Sequence, residues 1–550
     1  MVRRLVPLHL ALAVGLWVAP ARATPICVDV GDQANVMIVP DGSGGAVLVW
    51  EDGRHGYDAG LRAQHLLSTG EVDPAWPLNG RALTAASSTQ SDEQAVSDGA
   101  GGMVVAWVNT TYLPGLYVQH MRASGTVDPA WPASGVPLPN GDHPRGMVSD
   151  GSGGAIVVWD GVYAQHVRAA GSLDPAWPVN GRAVAPGTSP RVVSDGAHGA
   201  IVSFVTGGEV RAQHVLATGA IATGWPANGV VLSSGLQPIW PNVVSDGAGG
   251  AIVTWQDAPG STNYDIYAQR VRSDGTLAPG WPAAGLAVCT ADNLQESPVL
   301  VADGTGGAII AWEDHRPGST ADIYAQHLHA NGSLAAGWPA NGRAVCSSPN
   351  DQLYPQIAPD NSGGAIVTWQ DACNAWNGTN GYDIYAQRIR GDGSTPPGWP
   401  EGGREVEVAY GPQSNPRLCA DGSGGAVIAW QDLANGNDWN VYARKIRGDA
   451  TPAGTLDVPS MDRLSLAVGS ANGNPGPADR IRVRYSALDA GSAQIELIDL
   501  RGRVLDSREV ATAGTHEIEL APTSRIAPGV YLLRIRQGGR QQVARVSLLR

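Results

Sequence analysis

The stretch Ser245–Cys289, SDGAGGAIVTWQDAPGSTNYDIYAQRVRSDGTLAPGWPAAGLAVC, decides the fold because the chain writes it repeatedly. The copy around Asp246 recurs nearly intact at Asp303, and again at Asp41, Asp98, Asp150, Asp195, Asp360 and Asp421. Nine residues after each of these aspartates stands an aromatic: Trp50, Trp107, Trp159, Phe204, Trp255, Trp312, Trp369 and Trp430. A second landmark, Y-A-Q followed by Arg or His, falls at Tyr163, Tyr267, Tyr324 and Tyr385 and in variant form at Tyr117 (YVQH) and Tyr442 (YARK), with Arg62 and Arg211 in the same slot. A Trp-Pro pair follows at Trp76, Trp131, Trp177, Trp225, Trp281, Trp338 and Trp399. A period of about 45 to 60 residues is the mark of propellers and solenoids.

Each copy breaks into four strand-like runs: PNVVSD, AIVTWQD, DIYAQRVR and GLAVC. The DGxGG and SDG turns between them supply the positive φ angles that hairpins need. The second run is apolar on both faces instead of alternating, as expected for a strand wedged between two neighbouring sheets. The pattern predicts an all-β fold, an eight-bladed β-propeller of four-stranded blades over residues 24–450. After Lys445 the eighth copy has neither Trp-Pro nor a fourth run. Cys27 precedes Asp41 by the same interval that separates Cys289 from Asp303 and Cys346 from Asp360. Residues 24–28, TPICV, are therefore expected to complete the last blade and close the ring, removing two exposed sheet edges.

The N-terminus, MVRRLVPLHLALAVGLWVAPARATP, has a positive start, a short apolar run and a small-x-small site. Residues 1–23 read as a secretory signal peptide, and the apolar run is short for a membrane span. The 43 % apolar content, with 72 Gly and 39 Pro, suits a turn-rich β protein rather than a disordered one. A net charge of −14 and the lack of a basic patch argue against a nucleic-acid partner. Five cysteines (27, 289, 346, 373 and 419) show no CxxC or Cys/His ligand spacing, and three share one repeat position, which points to packing.

The order SDG…GAIVTW…DIYAQRV…DG resembles the TolB-type propeller repeat in outline. A linker at 451–461 leads into residues 462–550, whose alternation of Ile495 and Leu497, and of Ile518 and Leu520, predicts a small Ig-like β-sandwich. Here Asn474-Pro475, IELIDLRGRVL, PGVYLLRI and the final apolar strand resemble the C-terminal sorting domain of the type IX (Por) secretion system. That resemblance implies delivery across the outer membrane to the cell surface or the medium, with the secretion machinery as partner.

No GxSxG, HExxH, Walker or EF-hand spacing is present. His65, His120, His166, His214 and His327 share one slot with Arg270, Arg388 and Lys445. A slot that accepts His, Arg or Lys is expected to hold a donor to a neighbouring strand's carbonyls, not a metal ligand. Each DGxGG turn offers a single carboxylate, so no cofactor is indicated, and Ca²⁺ is the one ion the acidic loops leave open. Variation concentrates in the loop between the second and third runs, which is short in copies two to four and longer and polar in copies five to eight and one. Loops carry function where scaffolds carry packing. The candidate ligand-binding residues there are Asp257, Tyr264, Asp265, Asp314, His315, Asp322, Asp371, Trp376, Tyr382, Asp383, Asp432, Trp439 and Tyr57. Aromatics beside Asp suit sugar stacking or a protein edge. The bland alternative is that each Asp pair, such as Asp257 with Asp265 or Asp432 with Asn440, only staples its own hairpin. The expectation is a secreted or surface binding module for a carbohydrate or protein ligand. The alternatives are a glycoside hydrolase or polysaccharide lyase on the same scaffold, and a structural envelope protein.

Overall fold

The computed structural model describes residues 23–54, 60–84, 89–110, 114–233, 237–258, 263–372, 381–407, 411–433 and 438–449, together with the strands and adjoining residues of a C-terminal unit. All but the last residue of the expected signal peptide 1–23 and the whole of the expected linker 451–461 lie outside the described residues, as do Tyr57, Cys373 and Trp376. The chain divides into two compact units, 1–454 and 455–550.

In the first unit every repeat folds into one antiparallel sheet, entered by its first strand: Gln33–Pro40, Gln90–Ser97, Pro144–Ser149, Thr188–Ser194, Ile239–Ser245, Gln295–Ala302, Gln352–Pro359 and Gln413–Ala420. We number the sheets one to eight in this order. Seven have four strands; sheet three carries a fifth, Ser172–Leu173. Thr24–Cys27 pairs antiparallel with Asn440–Ile446, so sheet eight is built from both ends of the unit. The second strands are buried on both faces, and Trp50, Trp312 and their equivalents sit in the cores between consecutive sheets. Each sheet packs on the next, and sheet eight packs on sheet one through Ile26, Cys27, Trp50, Val427 and Val441. The ring is a closed all-β propeller.

Glycine is required where this packing is tightest. Gly80 has φ 80°, and a Cβ there would come within 2.4 Å of the Trp50 ring. The second Trp of each repeat ties adjacent sheets together: Trp76 Nε1 donates to the Ala123 carbonyl at 3.3 Å, and Trp281 Nε1 to that of Ala330 at 3.0 Å. The glutamine of Y-A-Q donates within its own sheet to the carbonyl of the Trp-Pro proline, as Gln64 does to Pro77 at 2.8 Å.

In the second unit, Ser465–Gly469, Ile481–Ala487 and Gly514–Leu520 form one antiparallel sheet. Ala493–Ile498, Val504–Val510, Gly529–Gln537 and Arg540–Leu548 form another, with Ile495, Leu497, Leu533 and Ile535 buried. No helix among the described residues is long and apolar enough to cross a membrane.

Candidate functional site

The antiparallel meander puts all DGxGG turns on one face of the ring, and the second-to-third-strand loops with the starts of the first strands on the other. On the turn face each aspartate closes its own loop. Asp98 Oδ1 accepts the amides of Ala100 at 2.7 Å and Gly102 at 2.8 Å. Its other oxygen accepts His120 Nε2–H at 2.8 Å, and His120 Nδ1 faces Asp128 at 2.9 Å. The same pairing recurs in all eight sheets, from His65 with Asp41 to Arg270 with Asp246, Arg388 with Asp360 and Lys445 with Asp421. The carbonyl partners expected of this slot appear as well, in Arg270 Nη1 to Ala330 at 2.8 Å and Lys445 Nζ to Gly44 at 2.7 Å. The turn carboxylate as the common partner is not legible in the spacing, because the interval from aspartate to base runs from 16 residues in sheet three to 28 in sheet seven as the intervening loop changes length. Burial opposes both charges, but the shared hydrogen bonds prevail: Asp98 is held below the ordinary carboxylate range and His120 above the ordinary imidazole range.

Asp303, His327 and His329 bring three ligand atoms within 4.8 Å of one another, the one such group among the described residues. His327 Nε2 faces Asp303 at 3.0 Å and its Nδ1 faces the Gly391 carbonyl at 2.8 Å. This is the repeated pair plus one exposed histidine.

On the loop face, Asp257, Asp314, Asp322, Asp371, Asp383 and Asp432 are buried, and Asp265 is half-buried. Asp257 pairs across the hairpin with Asp265, Asp314 with Asp322, Asp371 with Asp383 and Asp432 with Asn440. Asp314 accepts Trp312 Nε1–H at 2.8 Å and a fork from Arg316 at 2.8 and 2.6 Å, while the Arg316 guanidinium covers the Tyr324 ring at 3.8 Å. Asp52 and Arg54 repeat that arrangement on Trp50. Burial and the Asp314 charge push the Asp322 carboxyl up to about 6, and burial with Asp257 does the same for Asp265. Cys27, Cys289 and Cys346 lie beneath these carboxylates as buried free thiols, with Cys289 pushed by burial up to about 12.

Tyr264, His315, Tyr382 and Trp439 are half-buried at this face. The carbonyls of Tyr264, Ala321, Tyr382 and Trp439 accept the amides of Gln295, Gln352, Gln413 and Gln33, the first strand of the next sheet in each case, at 2.7–2.8 Å. These links join sheets five, six, seven, eight and one, the arc with the longer loops. The glutamine eight residues before the turn aspartate was the available sequence signal.

Around the ring the first strands bulge. The residue six before each turn aspartate has a left-handed backbone in every sheet but the third: Asn35, Asp92, Ser189, Trp240, Ser297, Tyr354 and Asn415, with φ of 51–56°. Such angles are uncommon for bulky side chains. Four of these amides are held by the preceding sheet: Glu51 accepts from Asp92, Gln256 from Ser297, Glu313 from Tyr354 and Gln370 from Asn415. Trp240 and Tyr354 are each 55 % exposed.

A central cavity of about 510 Å³ is lined by first strands of seven sheets. Four residues before each turn aspartate the chain places Met37, Gln94, Gly146, Arg191, Asn242, Val299, Gln356 and Arg417, all but Val299 on the cavity wall. Arg145 also lines it and is locked bidentately onto Asp160 at 2.6–2.9 Å.

Residues 474–548 match the family model described as the secretion system C-terminal sorting domain, Por_Secre_tail. The protein is thus a secreted or surface-delivered propeller protein, exported by the type IX route. No curated protein matches the chain. Among solved structures, a Dyadobacter fermentans protein of unknown function is similar at 9 % identity and TM-score 0.37, covering 76 % of this chain and 95 % of that one. The Bacteroides thetaiotaomicron endo-arabinase shares 14 % identity at TM-score 0.29, over 49 % and 94 % of the two chains. Trypanosoma rangeli sialidase shares 10 % at TM-score 0.30, over 95 % and 86 %.

Proposed function

We propose that the protein is a binding module, secreted or held at the cell surface, that grips a carbohydrate or protein ligand on its loop face. The observation that carries this reading is the display of Trp240 and Tyr354, two residues before the cavity-lining Asn242 and Gln356, exposed in spite of a backbone conformation that disfavours them. Large exposed aromatics around a concave, amide-lined site suit sugar stacking. In this reading Tyr264, His315, Tyr382 and Trp439 add contacts along the arc, and the aspartates beneath them hold the hairpins in place.

A hydrolase or lyase draws on Glu93, whose carboxyl is held well above its usual range by burial and the adjacent Glu51. Glu93 is 3 % exposed, so its carboxyl is closed off from a substrate in the cavity. The binding reading is preferred.

The test is retention of the mature protein on an array of neutral and acidic oligosaccharides and on extracts of cell-surface protein. The expected result is retention that drops about tenfold in the double variant W240A/Y354A. No retention by the native protein, or equal retention by the variant, overturns the reading.

A further inference from the structure

We infer that the central cavity takes a carboxylate-bearing oligosaccharide, with Arg191 and Arg417 gripping its acid groups from opposite sides of the ring. The inference rests on the binding reading and adds the ligand's chemical class.

The argument starts from charge. The chain is acidic, with a net −14, yet three arginines line one cavity. Arg145 is neutralised by Asp160. Arg191 and Arg417 are not: Arg191 Nη1 donates to the carbonyls of Pro190 at 3.0 Å and Arg145 at 3.5 Å, and Arg417 Nη1 to that of Pro416 at 3.4 Å. Among the described residues no carboxylate pairs with either. Burial pulls both guanidinium pKa values down, and Glu93, the acid that acts on Arg417, is itself held well above its usual range and so resists supplying the opposite charge.

A guanidinium that faces a cavity with no counter-ion destabilises the fold unless a ligand supplies one. The scaffold has no need of arginine here. The equivalent slots hold Met37 and Val299 elsewhere in the ring without loss of the bulge or the sheet. Arg191 belongs to sheet four and Arg417 to sheet eight, half the ring apart, so their forks converge on one space from opposite walls. The planar fork matches a carboxylate bidentately. Gln94, Asn242 and Gln356 line the same cavity and provide donors and acceptors for hydroxyl groups. Trp240 and Tyr354 stand in the bulges of sheets five and seven, where a sugar ring entering the cavity would stack. Carboxylates, hydroxyls and ring faces together describe a uronate oligomer, not a simple inorganic anion.

The experiment is calorimetric titration of the mature full-length protein with trigalacturonate and with its fully methyl-esterified, uncharged counterpart. Binding of the acid is expected, with about tenfold loss for the ester and for R191Q or R417Q, and marked weakening in 0.5 M salt. Without ligand, both variants should melt at or above the temperature of the native protein, since each loses an unpaired guanidinium, and this separates lost binding from lost fold. Equal binding of acid and ester, or native-like binding by R191Q/R417Q, overturns the inference. Hexaglutamate binding as tightly as trigalacturonate also overturns it, since sugar recognition would then be absent. If the protein holds neutral glycans through Trp240 and Tyr354 but ignores the acid, the binding reading stands and this inference falls; if nothing on the array is held, both fall.

Discussion

The two faces of the ring are made by the same repeat and have diverged in opposite ways. On the turn face an aspartate and its basic partner recur in eight sheets out of eight, whether the base is His120, Arg388 or Lys445. On the loop face the slots that surround the cavity hold Asn35, Asp92, Trp240 or Tyr354 on one level and Met37, Gln94, Arg191 or Arg417 on the next. A position that repeats serves something every sheet needs, which is closure of a turn and contact with the next sheet. A position that varies while the backbone stays constant has been released from that duty. The comparison can be broken by showing that the uniform face is dispensable, or sharpened by showing that the variable one is.

The largest effect belongs to the shared core. Trp312→Ala should cost about 3–5 kcal/mol in denaturant unfolding, because a fully buried indole would leave a cavity between sheets five and six. Trp240→Ala, on the variable face, should leave the midpoint nearly unchanged. A small loss at Trp312 would break the contrast at once. Removal of residues 24–27 should cost roughly 3 kcal/mol from Ile26 and Cys27 alone and expose the edge of Asn440–Ile446. Melting like the native protein would show that ring closure contributes little.

Much of this was legible in the sequence, because a repeat reports structure eight times over. The aromatic nine residues after each aspartate, the Trp-Pro pair and the displaced segment TPICV all read through to strands and cores. The cavity did not read through. Arg191 and Arg417 lie 226 residues apart, and only closure of the ring brings them to one space. The left-handed bulge was hidden too, since Asn, Asp, Ser, Trp and Tyr share no side-chain chemistry that announces it. The loop aspartates are the more conspicuous feature of the sequence, and their spacing shows that they can pair across a hairpin but not that the pairing buries them.

Smaller effects sharpen the comparison on the turn face. Asp98→Ala removes acceptors for two amides and for His120 and should cost about 1–3 kcal/mol at neutral pH. The cost should shrink at both ends of the pH range. Asp98 titrates below its unfolded value, so its contribution is present above the ordinary carboxylate pKa of 3.8 and fades as pH falls through the lower folded value. His120 titrates above its unfolded value of 6.5, so its share is complete below 6.5 and is lost as pH rises through the folded value. A cost independent of pH would mean that the pair is not the source.

The Asp322 carboxyl runs the other way. Its folded pKa of about 6 lies above the unfolded 3.8, so the folded chain holds the extra proton and stability declines as pH rises from 3.8 to 6. Asp322→Asn should therefore stabilise by about 1 kcal/mol above pH 6, after allowance for solvent screening, and by almost nothing below pH 4. Equal gains at both pH values would remove the charge explanation.

The most direct test of the central claim, that the face which departs from the repeat is the face that binds, is a hydrogen-exchange footprint. The mature protein would be compared with and without the oligosaccharide it retains most tightly. Slower exchange in Ile239–Ser245 and Gln352–Pro359, with the turns at Asp98–Gly102 and Asp150–Gly154 unchanged, is the predicted result. Protection confined to those turns would contradict it.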